Sequence, residues 1–94
     1  MLQISLQDGG GVRLAGVFDS SQSEGARRIF DTITTSCDVD FQGLEYISSM
    51  GLGILLATQK RLAANGQKLR LINMPQHLRK IFDAAMFGLM FEIQ

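Results

Sequence analysis

Tyr46-Ile47-Ser48-Ser49-Met50-Gly51-Leu52-Gly53 is the stretch on which the reading of this chain turns. An apolar, strand-like segment ends there. From about Met50 to Ala64 the pattern becomes helical, with Leu52, Leu55, Leu56, Leu62 and Ala63 on one broad face and Ile54 widening it. The junction therefore places two adjacent hydroxyls at the start of a helix, where the backbone dipoles sum to partial positive charge. Serine is a preferred N-cap, so one reading is that Ser48 or Ser49 simply caps the helix. The other is a phosphoacceptor. A phosphate adds about −1.5 to −2 charges, which a helix N-terminus tolerates and an apolar contact surface repels.

Upstream, Val39 and Phe41 alternate with polar residues from Cys37 onward, suggesting a short strand that continues through Leu44 to Ile47 or gives way to a loop leading into the helix. Before that, Ser21 and Glu24 have capping-box spacing. Ala26, Ile29, Phe30 and Ile33 follow at helix period, and Thr34-Thr35-Ser36 ends the segment. At the start of the chain Leu2, Ile4 and Leu6 alternate, then Val12, Leu14, Gly16 and Phe18. Asp8-Gly9-Gly10-Gly11 between them reads as the turn of a β-hairpin.

Downstream, Lys60 and Arg61 suit the negative end of the long helix, and Asn65-Gly66 is its stop signal. Leu69, Leu71 and Ile72 form the next strand. Pro75 opens a further helix carrying Leu78, Ile81, Phe82 and Ala85, Gly88 is placed as its cap, and Leu89, Phe91 and Ile93 alternate as a short last strand. Strands alternating with helices imply βαβ crossovers, hence an α/β fold with a partly parallel sheet. No repeat or linker divides residues 1–94, so one domain is expected.

The totals narrow the function. The chain has 94 residues, 46% of them hydrophobic, which suffices for a core. Nine Lys and Arg balance nine Asp and Glu, so nucleic acid is not the expected partner. The single cysteine, Cys37, cannot form an internal disulfide and fits a reducing compartment. No charged start with an apolar core reads as a signal peptide. No run reaches the ~18 apolar residues of a membrane span. A cytoplasmic domain without membrane insertion is the expectation.

Motifs for catalysis are scarce. There is no P-loop, and Gly9-Gly10-Gly11 lies in a hairpin rather than between strand and helix. His77 and Cys37, one of each, are too few for a structural zinc site. A Ser49–His77 relay lacks the Gly-x-Ser-x-Gly setting of a nucleophile elbow. Neither an enzyme nor a cofactor or metal is expected.

Taken in order, several motifs resemble the STAS domain of the bacterial anti-sigma-factor-antagonist type. Gly16-Val17-Phe18-Asp19 resembles that family's Gly-x-Leu/Phe-Asp after the second strand, and Val39-Asp40-Phe41 its central strand. Tyr46-Ile47-Ser48-Ser49-Met50-Gly51-Leu52 resembles its signature Phe/Tyr-Ile-Asp/Ser-Ser-Ser/Thr/Ala-Gly-Leu. Asn65-Gly66-Gln67-Lys68-Leu69 and Ile81-Phe82-Asp83 resemble the turn, strand and last helix that follow. Three positions depart from the pattern. Ser48 stands where many members have Asp, Met50 where many have Ser, Thr or Ala, and Ala85-Met86-Phe87-Gly88 displaces the glycine expected after the last helix.

The resemblance implies a mixed β-sheet with helices packed on one side, and regulation by partner switching. The unphosphorylated antagonist would bind an anti-sigma factor that is a serine kinase of the histidine-kinase-like ATPase fold, be phosphorylated at Ser49 (Ser48 as second choice), and fall away. A PP2C-type phosphatase would reset it, with ATP bound by the kinase. The implied contact surface is Ser48, Ser49, Met50, Gly51 and Gly53. A monomer when free is the expectation from the sequence, because no separate apolar stripe is left unexplained. The alternative is a non-catalytic accessory STAS subunit of an ABC-type lipid transporter ATPase, holding the same surface permanently against an ATPase.

Overall fold

In the computed structural model, which describes residues 1–94, a five-stranded sheet runs β1 (Leu2–Leu6), β2 (Val12–Phe18), β3 (Cys37–Ile47), β4 (Leu69–Ile72), β5 (Glu92–Ile93) in sequence order. β1 and β2 form the antiparallel hairpin, Leu6 opposite Val12, with Gly9 and Gly10 at positive φ in the turn. The other neighbours are parallel. The helices α1 (Ser23–Asp31), α2 (Ser49–Ala63) and α3 (Gln76–Ala84) are the successive crossovers. Because strand order never reverses, crossovers of one hand set every helix on the same face. The mixed sheet with a one-sided helical layer is thus the architecture that the family resemblance implies.

The core follows from that layering. Val12, Leu14 and Phe18 of β2, Val39, Phe41, Leu44 and Ile47 of β3, and Leu69 and Leu71 of β4 are all buried in one cluster with the helices' Ala26, Phe30, Leu55, Leu62, Leu78 and Phe82. The opposite face of the sheet carries charge. Asp38, paired with Arg70 in the β3–β4 register, takes two hydrogen bonds of 2.8 Å from its guanidinium. The Arg70 guanidinium holds that carboxyl below its usual range. Arg13–Asp40 and Lys68–Glu92 extend the row.

β3 is one continuous strand, so no loop intervenes before α2. Its buried residues are spaced 39, 41, 44, 47 rather than strictly by two. Pairing with β2 explains this. Arg13 faces Asp40 but Ala15 faces Gly43, and Gly16 faces Leu44 but Val17 faces Tyr46. Each step inserts one extra residue in β3, a bulge that restores the inward direction of the next apolar side chain. Gly16 is needed at the second irregularity. Its φ is +88°, and a Cβ there would sit 2.0 Å from the Met1 carbonyl oxygen.

The stop at Asn65-Gly66 forms as the sequence implies. Gln67 N–H donates to the Leu62 carbonyl and Gly66 N–H to the Ala63 carbonyl, with Gly66 at φ +73°, the paired bonds of a Schellman motif. Three expectations differ. The Ser21–Glu24 capping box does not form, because Asp19 captures both the Ser21 hydroxyl and the Ser21 N–H and folds Ser20–Gln22 into a 3-10 turn ahead of α1. α1 also stops at Asp31, where the Thr32 hydroxyl turns back to the Ile29 carbonyl, leaving Ile33 buried beyond the helix. Finally, Gly88 does not cap α3. The left-handed position is Met86 at φ 59°, ψ 28°, at a cost of about 1–2 kcal/mol for a residue with a Cβ. Leu89 consequently lies in a 3-10 turn, and the last strand is only Glu92–Ile93.

Candidate functional site

The junction is held from both sides. Phe18 and Ile47, the last residues of parallel neighbours β2 and β3, are paired, and the Ser48 N–H extends that pairing by donating to the Phe18 carbonyl at 2.8 Å. Ser48 itself is extended, φ −84° and ψ 169°. Its Oγ accepts from the Gly51 N–H at 3.2 Å, and its carbonyl accepts the first helical bond from Leu52 N–H at 3.0 Å. Ser48 is therefore the N-cap of α2. Its hydroxyl, half-buried, is already committed.

Ser49 is the first residue of the helix and is exposed. Its hydroxyl makes no hydrogen bond within the protein, so it stands free at the positive end of α2. The same neighbourhood exposes Tyr46 at 48% and Met50 at 45% of their full surface. One turn on, Gly53 is open, with nothing within 4 Å of where its Cβ would be. Gly51 is different. It is buried, and a Cβ on it would lie 2.8 Å from Ile47 Cγ1 and 3.2 Å from the Phe18 ring. It supports the junction from beneath rather than lying on its surface. The structure thus brings Ser49, Met50 and Gly53 together on one outward face and sets Ser48 and Gly51 behind it.

His77 lies exposed in the first turn of α3, with its Nε2 2.8 Å from the Glu45 carbonyl oxygen. A carbonyl only accepts, so that nitrogen carries the proton and donates. His77 ties α3 to the bulged end of β3 and makes no hydrogen bond to Ser49. No three His, Cys, Asp or Glu side chains converge, and no helix is long and apolar enough to cross a membrane. The Cys37 thiol is half-buried, and burial pushes its pKa up, which disfavours the thiolate.

Two features escaped sequence reading. Tyr46 points outward because the second bulge rotates it out of the apolar series; the three-residue spacing Leu44 to Ile47 is the only trace of this in the sequence. Arg61, placed by its sequence position at the end of α2, instead reaches α1. Its two terminal nitrogens donate to the Ile33 and Phe30 carbonyls at 2.8 and 2.9 Å. It adds a second donor to the Phe30 carbonyl, which already accepts the Ile33 N–H at 3.1 Å, and supplies one to the Ile33 carbonyl beyond the helix; no local pattern announces a contact 28 to 31 residues away.

Against known proteins, the family model described as "Mlab, STAS domain" matches residues 3–90. Among solved structures, the Bacillus cell-fate determinant SpoIIAA in its phosphorylated form superposes with a TM-score of 0.73 at 22% identity, covering 100% of this chain and 91% of that one. The anti-sigma factor antagonist SpoIIAA in its unphosphorylated form gives 0.74 and 23%, covering 100% and 87%. A putative anti-sigma factor antagonist from Thermotoga maritima gives 0.81 and 15%, covering 99% and 85%. These likenesses establish the shared fold. No curated protein matches the sequence.

Proposed function

The chain belongs to the STAS domain family, and on that premise we propose that it is an anti-sigma factor antagonist working by partner switching. Unphosphorylated, it binds an anti-sigma factor that is also a serine kinase of the histidine-kinase-like ATPase fold. Phosphorylation of Ser49 releases it, and a PP2C-type phosphatase restores it. It acts in the cytoplasm, monomeric when free, and catalyses nothing itself. The observation that carries this reading is the division of labour between the two serines. Ser48 is locked as the cap, whereas Ser49 presents an unbonded hydroxyl beside exposed Tyr46, Met50 and Gly53. A phosphate fits the helix end and spoils the apolar contact, so one side chain changes binding without refolding the domain. That SpoIIAA is described in both phosphorylated and unphosphorylated forms supports it.

A second reading is a permanent accessory subunit of an ABC-type lipid transporter ATPase. Two observations favour it: the matching family model carries the name Mlab, and Met50 offers apolar surface beside Ser49 that suits a constant contact. Peptide mapping across residues 42–60 of the protein isolated from its native cells separates the two. Phosphate on Ser49 is the expected result. Both serines unmodified across growth conditions, with an ABC-type ATPase co-purifying, overturns the switch in favour of the accessory subunit.

A further inference from the structure

The outward face that begins at Ser49 continues along α2 into a groove of about 410 Å³ between α1 and α2. Gly53 and Ala57, one turn apart, contribute from α2; Arg27 and Asp31 contribute from α1, and Arg61 closes the far end. The charge here is lopsided. The molecule's four ion pairs are Arg13–Asp40, Arg28–Glu24, Lys68–Glu92 and Arg70–Asp38. Neither Arg27 nor Arg61 belongs to any of them, and neither does Lys60, exposed beside Arg61. α2 contains no Asp or Glu over its whole length. Asp31 is the one carboxylate in the groove, and it has no cation within ion-pairing distance.

Arg61 is also pre-organised. Its two bonds to the carbonyls of Phe30 in α1 and Ile33 just beyond it fix the guanidinium in place, so a ligand meeting its remaining N–H groups does not bear the cost of ordering it. Gly53 and Ala57 leave the adjacent surface low, which lets another backbone approach closely.

We infer that this groove docks an acidic helical segment of the partner, its carboxylates meeting Arg27 and Arg61 while its backbone lies over Gly53 and Ala57. The inference rests on the reading of Ser49 as the switch and gives that switch a cause. Residues four apart on a helix are neighbours, about 5–6 Å between Cβ atoms. Ser49 therefore stands one turn from Gly53, at the head of the groove. Unmodified, the groove offers cations to an acidic helix. A phosphate on Ser49 places negative charge at its entrance and repels the same helix.

The test is an amide NMR titration of the full chain with a helical Ala/Glu peptide of roughly 20 residues, long enough to hold a helix in water. Peptides with Gln or Lys in place of Glu are the controls. The expected result is saturable shifts at Gly53, Ala57, Arg27 and Arg61 with the Glu peptide alone, weakening between about 50 mM and 500 mM salt as a charge contact must. Arg27→Glu, an exposed position with no hydrogen bond to lose, is expected to weaken binding by roughly tenfold or more. Equal binding of the Gln or Lys peptide overturns the inference, as do shifts confined to Arg79 and Lys80, exposed cations of α3 away from the groove. So does insensitivity to Arg27→Glu, or concentration-dependent broadening of the groove resonances without peptide, which marks a second copy as the occupant. Groove-mapped binding of the Glu peptide that ignores Ser49→Glu supports the groove and tells against the phosphorylation switch instead.

Discussion

Ser49→Glu is expected to weaken binding of the proposed anti-sigma-type partner by roughly a hundredfold, about 3 kcal/mol, while leaving the domain slightly more stable. The two effects have opposite signs for one reason. Ser49 is the first residue of α2, where a carboxylate meets the positive end of the helix and gains about 0.3–1 kcal/mol. The same carboxylate lies on the face that exposes Tyr46, Met50 and Gly53. A partner covering that face must strip water from an unpaired charge. Calorimetry and a thermal melt on one protein sample read both quantities. A binding loss accompanied by a loss of stability would point to damage at the junction rather than to charge. Unaltered affinity would count against the switch altogether.

Phe82→Ala is expected to cost about 4 kcal/mol of folding stability, seen as a lower denaturant midpoint with an unchanged slope. Phe82 is fully buried between β3 and the C-terminal turn. Its ring stands edge-on to Phe41, centroids 5.6 Å apart, and edge-on to Phe87 at 5.5 Å. Phe87 in turn packs on Phe91 at 5.4 Å. Removing this ring leaves a cavity and takes away the packing of Phe87, one of the contacts that hold the segment carrying β5 beside β4. That is a large share of the 5–15 kcal/mol typical of a whole domain. Leu89→Ala in the same segment serves as the control. Leu89 is 83% exposed, so its change stays within about 0.5 kcal/mol. A loss below about 1 kcal/mol for Phe82→Ala would mean that the C-terminal turn is not tied to β3 through this ring.

The fold was legible wherever periodicity or a local stop signal governs it. The hairpin, the parallel βαβ crossovers and the Asn65-Gly66 terminus follow from alternation, crossover geometry and glycine's freedom at positive φ, whereas the one-sided helical layer is what the family resemblance implies. The junction was legible for the same reason: a strand pattern passes into a helix pattern at two serines. What was not legible depends on contacts distant in sequence or on competition between caps. The two bulges in β3 exist only relative to β2, so Tyr46 could not be placed outward in advance. Ser21 was claimed by Asp19 rather than by the helix it precedes, because a carboxylate two residues back reaches both its N–H and its hydroxyl. The Arg61 side chain turns from its own helix end to the carbonyls of Phe30 and Ile33 at the end of α1, which makes an expected dipole partner a clamp and one wall of the groove. Which of the two serines is free was likewise a matter of geometry. Both satisfy the composition of a cap, and only the extended backbone at Ser48 assigns it the role.

The most direct test of the switch uses the captured partner itself. The complex is assembled on immobilised protein, Mg-ATP is added, and release is followed for the native chain, Ser48→Ala and Ser49→Ala. ATP is expected to free the native chain with phosphate on Ser49 and to free Ser48→Ala as well although its cap is lost, while Ser49→Ala stays bound. Release of Ser49→Ala at the native rate, or retention of all three, would contradict the switch.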